Sequence, residues 1–329
     1  LLSASTTTVV SALDVNDFDA SQISQVCGDS ALRPKYVLAS CMHRGVLYVG
    51  GVFNRAGNTT AVNFAFVHAV SKDAGAANDW QSGGKVGPGP INLTQAQHLK
   101  KQKLTIQQQI DSTFGMAMAM ACRDDDDYIY IGGLFKIVGD SSNGGGGGDE
   151  GAVGQQQQQQ QRQQDQQRGD AASSGTVANN FARYSVLDGT FSILKTSLGI
   201  GFETRFGHDH VETLDPVSAS PMVVTITWHP DHPRVLFVGG SFTHAAGVRA
   251  RNIARIDITK GFDSPAVVSV GAADDEFRGA SLEAAFNKPA VVSTILAMTP
   301  GLVIVGGFFD RLGDVRATGI ALWTINNHT

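Results

Sequence analysis

The sequence predicts an all-β protein, a β-propeller of four-stranded antiparallel blades, and three observations predict it. One strand motif recurs four times: Leu47-Tyr-Val-Gly-Gly-Val-Phe53, Ile129-Tyr-Ile-Gly-Gly-Leu-Phe135, Leu236-Phe-Val-Gly-Gly-Ser-Phe242 and Val303-Ile-Val-Gly-Gly-Phe-Phe309. Each is followed by a glycine (Gly57, Gly139, Gly247, Gly313) and then by a second apolar strand. Those strands read Asn63-Phe-Ala-Phe-Val67, Asn180-Phe-Ala-Arg-Tyr184, Asn252-Ile-Ala-Arg-Ile256 and Gly319-Ile-Ala-Leu-Trp323. The spacing is constant. From the first motif glycine to the alanine of the second strand is 15 residues in three copies (50 to 65, 239 to 254, 306 to 321). In the remaining copy it is 50 (132 to 182), which is 15 plus an insertion of 35.

Each motif begins with β-branched or aromatic residues suited to a pleated, half-buried surface. The pairs Gly50-Gly51, Gly132-Gly133, Gly239-Gly240 and Gly306-Gly307 admit a bulge or a close backbone approach. Phe53, Phe135, Phe242 and Phe309 stand three residues after the first glycine and are expected to fill one recurring core pocket. Amphipathic strands precede the motifs at Val37 to Cys41, Met116 to Met120, Val223 to Thr227 and Thr294 to Met298. Fourth strands are expected around Trp80, at Phe191 to Leu194 and at Ala266 to Val270. The repeat units run over about 37–85, 115–195, 223–271 and 293–329. A four-stranded sheet cannot bury both faces alone, and radial packing of such sheets buries them. Thr6 to Ala12 reads as an orphan strand that closes the ring beside the last blade and covers its edge. An arc cut from a larger propeller is the other architecture.

Composition narrows the function classes. With 42% hydrophobic residues, 17% charged and 38 glycines, the chain is a packed, turn-rich β protein. A net charge of −5 opposes nucleic-acid binding, and Lys100-Lys101-Gln102-Lys103, the one tight basic cluster, reads as a solvated face. No apolar run has the ~20 residues of a membrane-spanning helix. The chain opens on Leu1 without a leader pattern and reads as processed or excerpted. Residues 141–176 carry Gly144 to Gly148 and the glutamine tract from Gln155, with almost nothing apolar, and are expected to be disordered. Residues 91–110 form a second, polar insertion, read as a short surface helix.

Cys27, Cys41 and Cys122 match no zinc spacing. Cys41 and Cys122 are expected as buried free thiols, with a Cys27–Cys41 disulfide as the alternative. His208 and His210 with His229 and His232 offer the best metal-binding set, although His229 to Arg234 also reads as a plain hairpin turn. Asp124 to Asp127 occupies the equivalent turn of the second copy and lacks the ligand spacing of a calcium loop. Asp274, Asp275 and Glu276 carry the carboxylates of a glycosidase but no visible partner. The paired glycines are followed by no Gly-Lys-Ser/Thr, and no Gly-x-Ser-x-Gly elbow occurs. No cofactor and no catalytic set is therefore expected. Asn58, Asn92 and Asn327 begin Asn-x-Thr sequons and are candidate glycosylation sites, which favours a secretory location.

The units of the form Leu-Tyr-Val-Gly-Gly-x-Phe, Gly, Asn-x-Ala resemble the kelch-like propeller repeats of the fungal cortical polarity-marker (bud-site selection) proteins and related ectodomains. The resemblance covers the four repeat segments, about half the chain. It implies a secreted or membrane-anchored protein of cell-surface organisation, and it brings no catalytic residues. Two features depart from the pattern: the glutamine-rich insertion, and Gly319 in place of asparagine. The sequence thus predicts a binding or structural module for a protein or glycan ligand. An intracellular kelch-type scaffold is the first alternative, and a metal-dependent enzyme using the four histidines is the second.

Overall fold

The computed structural model describes residues 36–57, 59–68, 80–87, 115–139, 176–204, 221–269, 280–281, 290–299, 301–313 and 315–324. All regular structure among them is strand, arranged in four successive units. Unit 1 contains β1 (Tyr36–His43), β2 (Val46–Val52), β3 (Arg55–Ala56), β4 (Thr59–Thr60), β5 (Phe64–His68), β6 (Gln81–Ser82) and β7 (Lys85–Val86). Unit 2 contains β8 (Met116–Ala121), β9 (Tyr128–Leu134), β10 (Ile137–Gly139), β11 (Thr176–Val177), β12 (Phe181–Ser185), β13 (Phe191–Ile193) and β14 (Phe202–Glu203). Unit 3 contains β15 (Met222–Trp228), β16 (Val235–Ser241), β17 (His244–Ala245), β18 (Val248–Arg249), β19 (Ile253–Asp257), β20 (Ala266–Ser269) and β21 (Ala280–Ser281). Unit 4 contains β22 (Val291–Thr299), β23 (Leu302–Phe308), β24 (Arg311–Leu312), β25 (Val315–Arg316) and β26 (Ile320–Thr324).

Units 1 to 3 each hold a four-stranded antiparallel sheet, ordered β1-β2-β5-β6, β8-β9-β12-β13 and β15-β16-β19-β20, and unit 4 holds the three-stranded β22-β23-β26. The Gly-Gly motif ends the second strand of each sheet, opposite a bulge in the first. That bulge falls between Val37 and Ala39, Ala117 and Ala119, Val223 and Thr225, and Val292 and Thr294. A side chain on the second motif glycine would collide with a first-strand carbonyl oxygen, that of Tyr36, Met116, Met222 or Val291. The first glycine receives the next unit instead: Ala117 packs on Gly50, Val223 on Gly132 and Val292 on Gly239. The motif phenylalanines are 1–2% exposed.

The motif asparagines hold the same corner from the other strand. Asn63, Asn180 and Asn252 adopt left-handed φ of 62°, 72° and 64°, which asparagine tolerates better than other side-chain-bearing residues. Each side-chain oxygen accepts from the motif phenylalanine N–H, at 3.0, 3.0 and 2.9 Å in Phe53, Phe135 and Phe242. The Asn63 amide donates to Val86 O and Gly115 O, both at 2.8 Å, and the Asn180 amide to Phe202 O at 3.0 Å. Those carbonyls belong to the segment that leads into the next unit. Gly319 keeps the left-handed backbone (φ 75°) and the hydrogen bonds to Phe309 and Gly307 without a side chain to reach onward. Glycine adopts this left-handed φ without steric cost.

A smaller sheet, not expected from the sequence, joins one unit to the next. The strands between the motif and its partner fold into a hairpin, β3-β4, β10-β11, β17-β18 or β24-β25. The end of the preceding unit adds the third strand, pairing β7 with β10, β14 with β17 and β21 with β24. The 35-residue insertion therefore sits at the tip of the β10-β11 hairpin, and Thr176, assigned to it from sequence, begins β11. The rest of the insertion, residues 91–110 and the expected strand Thr6 to Ala12 lie outside the described residues. Three buried clusters lie between units: Phe64 with Ala117 and Phe135, Phe181 with Val223 and Phe242, and Ile253 with Val292 and Val305; a fourth, of Val49, Phe53, Ala56, Ala61 and Ala65, lies within unit 1.

The expected free thiols are overturned. Cys41 on β1 and Cys122 just after β8 form a disulfide with Cα atoms 6.2 Å apart, across 81 residues of sequence. Side-by-side packing of β1 and β8 brings them together, which no local spacing reveals. The bond ties unit 1 to unit 2. In the chain-entropy account, a loop this long stabilises the fold by about 4–5 kcal/mol.

Phe242→Ala is expected to cost roughly 3–5 kcal/mol in chemical denaturation. Asn180→Gly should be milder than Asn180→Ala by about 1 kcal/mol, because only alanine adds left-handed strain to the lost hydrogen bonds. Equal losses in the two variants would show that φ at this position costs nothing.

Candidate functional site

The turns between the first and second strands bring the chemically active side chains of units 1 to 3 to one end of the sheets. Arg44 and Gly45 form a two-residue turn with φ of 48° and 77°, the twist that suits a tight hairpin. From there Arg44 crosses to unit 2. Its N–H donates to Asp124 Oδ1 at 2.8 Å, its Nε to Asp124 O at 2.9 Å and its Nη1 to Asp127 Oδ1 at 2.8 Å. Arg123 grips Asp125 through two bonds of 2.9 and 2.8 Å, and holds that exposed carboxyl below the usual aspartate range. Asp126 turns inward, where Tyr130 OH donates to its Oδ2 at 3.1 Å. Burial, and then the charge of Asp126, push the Tyr130 hydroxyl far above its ordinary pKa. All four aspartates of the run thus have protein partners.

Aromatic rings lie beside these charges. The Arg183 guanidinium stands 4.0 Å from the centre of the Tyr128 ring and 4.7 Å from that of Phe262. Arg123 lies 5.4 Å over Trp228, and Trp228 meets Tyr130 edge-on at 5.1 Å. The result is a belt of arginine, carboxylate and aromatic groups across the junction of units 2 and 3, with Tyr128 and Trp228 half-buried over the buried Tyr130 and Phe262. Its arginine–aromatic stacks form between residues far apart in the chain, which the sequence reading could not pair. The recurring Ala-Arg of Asn180-Phe-Ala-Arg and Asn252-Ile-Ala-Arg was the available signal.

The histidines divide. His43 is buried, with Nδ1 3.8 Å from Asp124 Oδ1. His229 is 2% exposed, and its Nδ1 accepts the N–H groups of Asp231 and His232, each at 3.2 Å. This nitrogen shapes the turn and is not open to a metal. Burial above all, then neighbouring His232 and Arg255, depress the His229 pKa. His208 and His210 lie outside the described residues, as do Asp274, Asp275, Glu276 and the three sequons' asparagines, Asn58, Asn92 and Asn327. Among the described residues no group of three His, Cys, Asp or Glu side chains is placed to hold a metal ion. No helix among them is long and apolar enough to cross a membrane. Compared with known proteins, the chain matches no family model and no curated sequence.

A histidine held neutral in the fold takes up its proton more readily when unfolded. Stability should therefore fall as pH drops through and below the ordinary histidine value of about 6.5. His229→Gln is expected to flatten that decline in thermal melts between neutral and mildly acidic pH, above the range where the aspartates titrate. An unchanged slope would remove His229 as its source.

Proposed function

We propose that the four units are successive blades of a kelch-like β-propeller and that the chain is a recognition module for a protein or glycan ligand. The belt of Arg123, Arg183, Tyr128 and Trp228 carries this reading. Arginine and large aromatic side chains are the residues that dominate binding energy at protein interfaces, and here rigid sheets support them. Stacked guanidinium groups also keep their donors in fixed directions for carboxylate or hydroxyl acceptors.

The Cys41–Cys122 disulfide supports a secreted protein or an ectodomain, since such bonds persist in oxidising compartments. Three candidate sequons point the same way. The reading agrees with the resemblance to cell-surface polarity markers. An intracellular scaffold of the same fold would keep both thiols reduced.

Two measurements test the proposal. Non-reducing peptide mapping of the protein from its native source should recover Cys41 linked to Cys122, and free thiols at both would sink the secretory placement. Binding to panels of extracellular proteins and glycans should fall by at least about tenfold in Trp228→Ala with the fold intact. Binding that survives both Trp228→Ala and Arg123→Ala would move the site elsewhere.

A further inference from the structure

The turn that joins β15 to β16 in unit 3 is built around one ring nitrogen. It runs from His229 to Arg234, and Pro230 and Pro233 leave only Asp231, His232 and Arg234 with N–H groups beyond that of His229 itself. Asp231 and His232 both donate to His229 Nδ1, each at 3.2 Å. An accepting Nδ1 requires the neutral tautomer with its proton on Nε2, because a protonated imidazole donates from both nitrogens. The ring is buried, with its centre 4.4 Å from that of His232 and 5.6 Å from that of Phe237. The same turn flanks both aromatic groups that unit 3 gives to the belt. Trp228, under Arg123, is the residue before it. Arg234 O accepts the N–H of Ile258 at 2.8 Å, at the head of the loop that carries Phe262 to Arg183. The equivalent turn of unit 1 closes in two residues, Arg44 and Gly45, with no such staple.

We propose that this turn is a proton-operated latch on the recognition belt. A proton on His229 Nδ1 expels the two amide donors, the turn opens, and Trp228 and Phe262 lose the support that holds them against Arg123 and Arg183. Acidification then loosens the belt's hold on a protein or glycan ligand, a consequence that rests on reading the belt as the recognition site. The charged and titratable groups that face the imidazole are His232 and Asp231 in its own turn and Arg255 on β19. Asp257, also on β19, faces Arg255 and His232, and Arg234 at the end of the turn faces Asp125 of unit 2. Burial above all, then His232 and Arg255, keep the imidazole below the ordinary histidine range, and Asp231 opposes them. The latch is therefore closed at neutral pH and opens as the pH falls through a value below about 6.5.

Fluorine NMR of the full chain labelled with fluorotryptophan tests it without a ligand, the Trp228 signal being the one lost in Trp228→Phe. From neutral to mildly acidic pH, above the range in which carboxylates titrate, that signal should move while the protein stays folded in thermal melts. The Asp231 and His232 N–H groups should lose at least about tenfold of their protection against hydrogen exchange, corrected for its intrinsic pH dependence, because both lose their acceptor. His229→Gln should abolish the movement of the Trp228 signal. His232→Gln should keep it and raise its midpoint, since His232 is one of the groups that hold His229 neutral. Amide protection that does not fall in acid, or a Trp228 signal that titrates unchanged in His229→Gln, would overturn the proposal. So would a movement lost in His232→Gln alone. Every readout works on the free chain, so failure of the latch is separate from failure of the belt to capture an extracellular ligand.

Discussion

The whole arrangement depends on one close approach of backbone to backbone. Where the first strand of each unit bulges, its carbonyl oxygen occupies the space a side chain would need on the second motif glycine. Only glycine permits that approach, and the approach sets the strand at the depth where the next unit can nest on the first glycine. Both glycines are therefore used, for different neighbours. One closes the sheet and the other opens a seat for the following sheet.

The asparagine corner converts this local fit into a chain of units. A left-handed residue ends the loop, its carbonyl oxygen binds the second glycine N–H, and its side chain reaches the segment that leaves for the next unit. The small three-stranded sheets repeat the idea in the backbone, since units 1, 2 and 3 each donate a short strand to the next unit. Three of the buried clusters among the described residues then span neighbouring units, and a fourth, around Phe53, lies within unit 1.

The polar face follows a different logic. Its aspartates are neutralised or hydrogen-bonded by Arg44, Arg123 and Tyr130: Asp124 and Asp127 join unit 2 to unit 1, while Asp125 and Asp126 bind within unit 2. The disulfide lies at the same junction and cross-links it covalently. The junction of units 2 and 3 relies instead on stacking of Arg183 and Arg123 with aromatic rings. Different chemistry at successive junctions of one repeated fold is what a turn face, free of the motif's steric demands, allows.

The sequence by itself determined the main strands of each unit and the succession of the motif and Asn-x-Ala. These follow from local requirements: β-branched runs, glycine where backbone must approach, and asparagine or glycine where φ is positive. It also located the turns and the hairpin that tolerates the 35-residue insertion, because a constant spacing exposes any departure. Tertiary structure alone decided the Cys41–Cys122 bond, the strands handed from unit to unit and the partners of each aspartate. Those depend on which units lie side by side, across separations such as the 81 residues between the two cysteines. A contact across that distance is set by how bulge and glycine orient one sheet on the next, and no short stretch of sequence contains that angle.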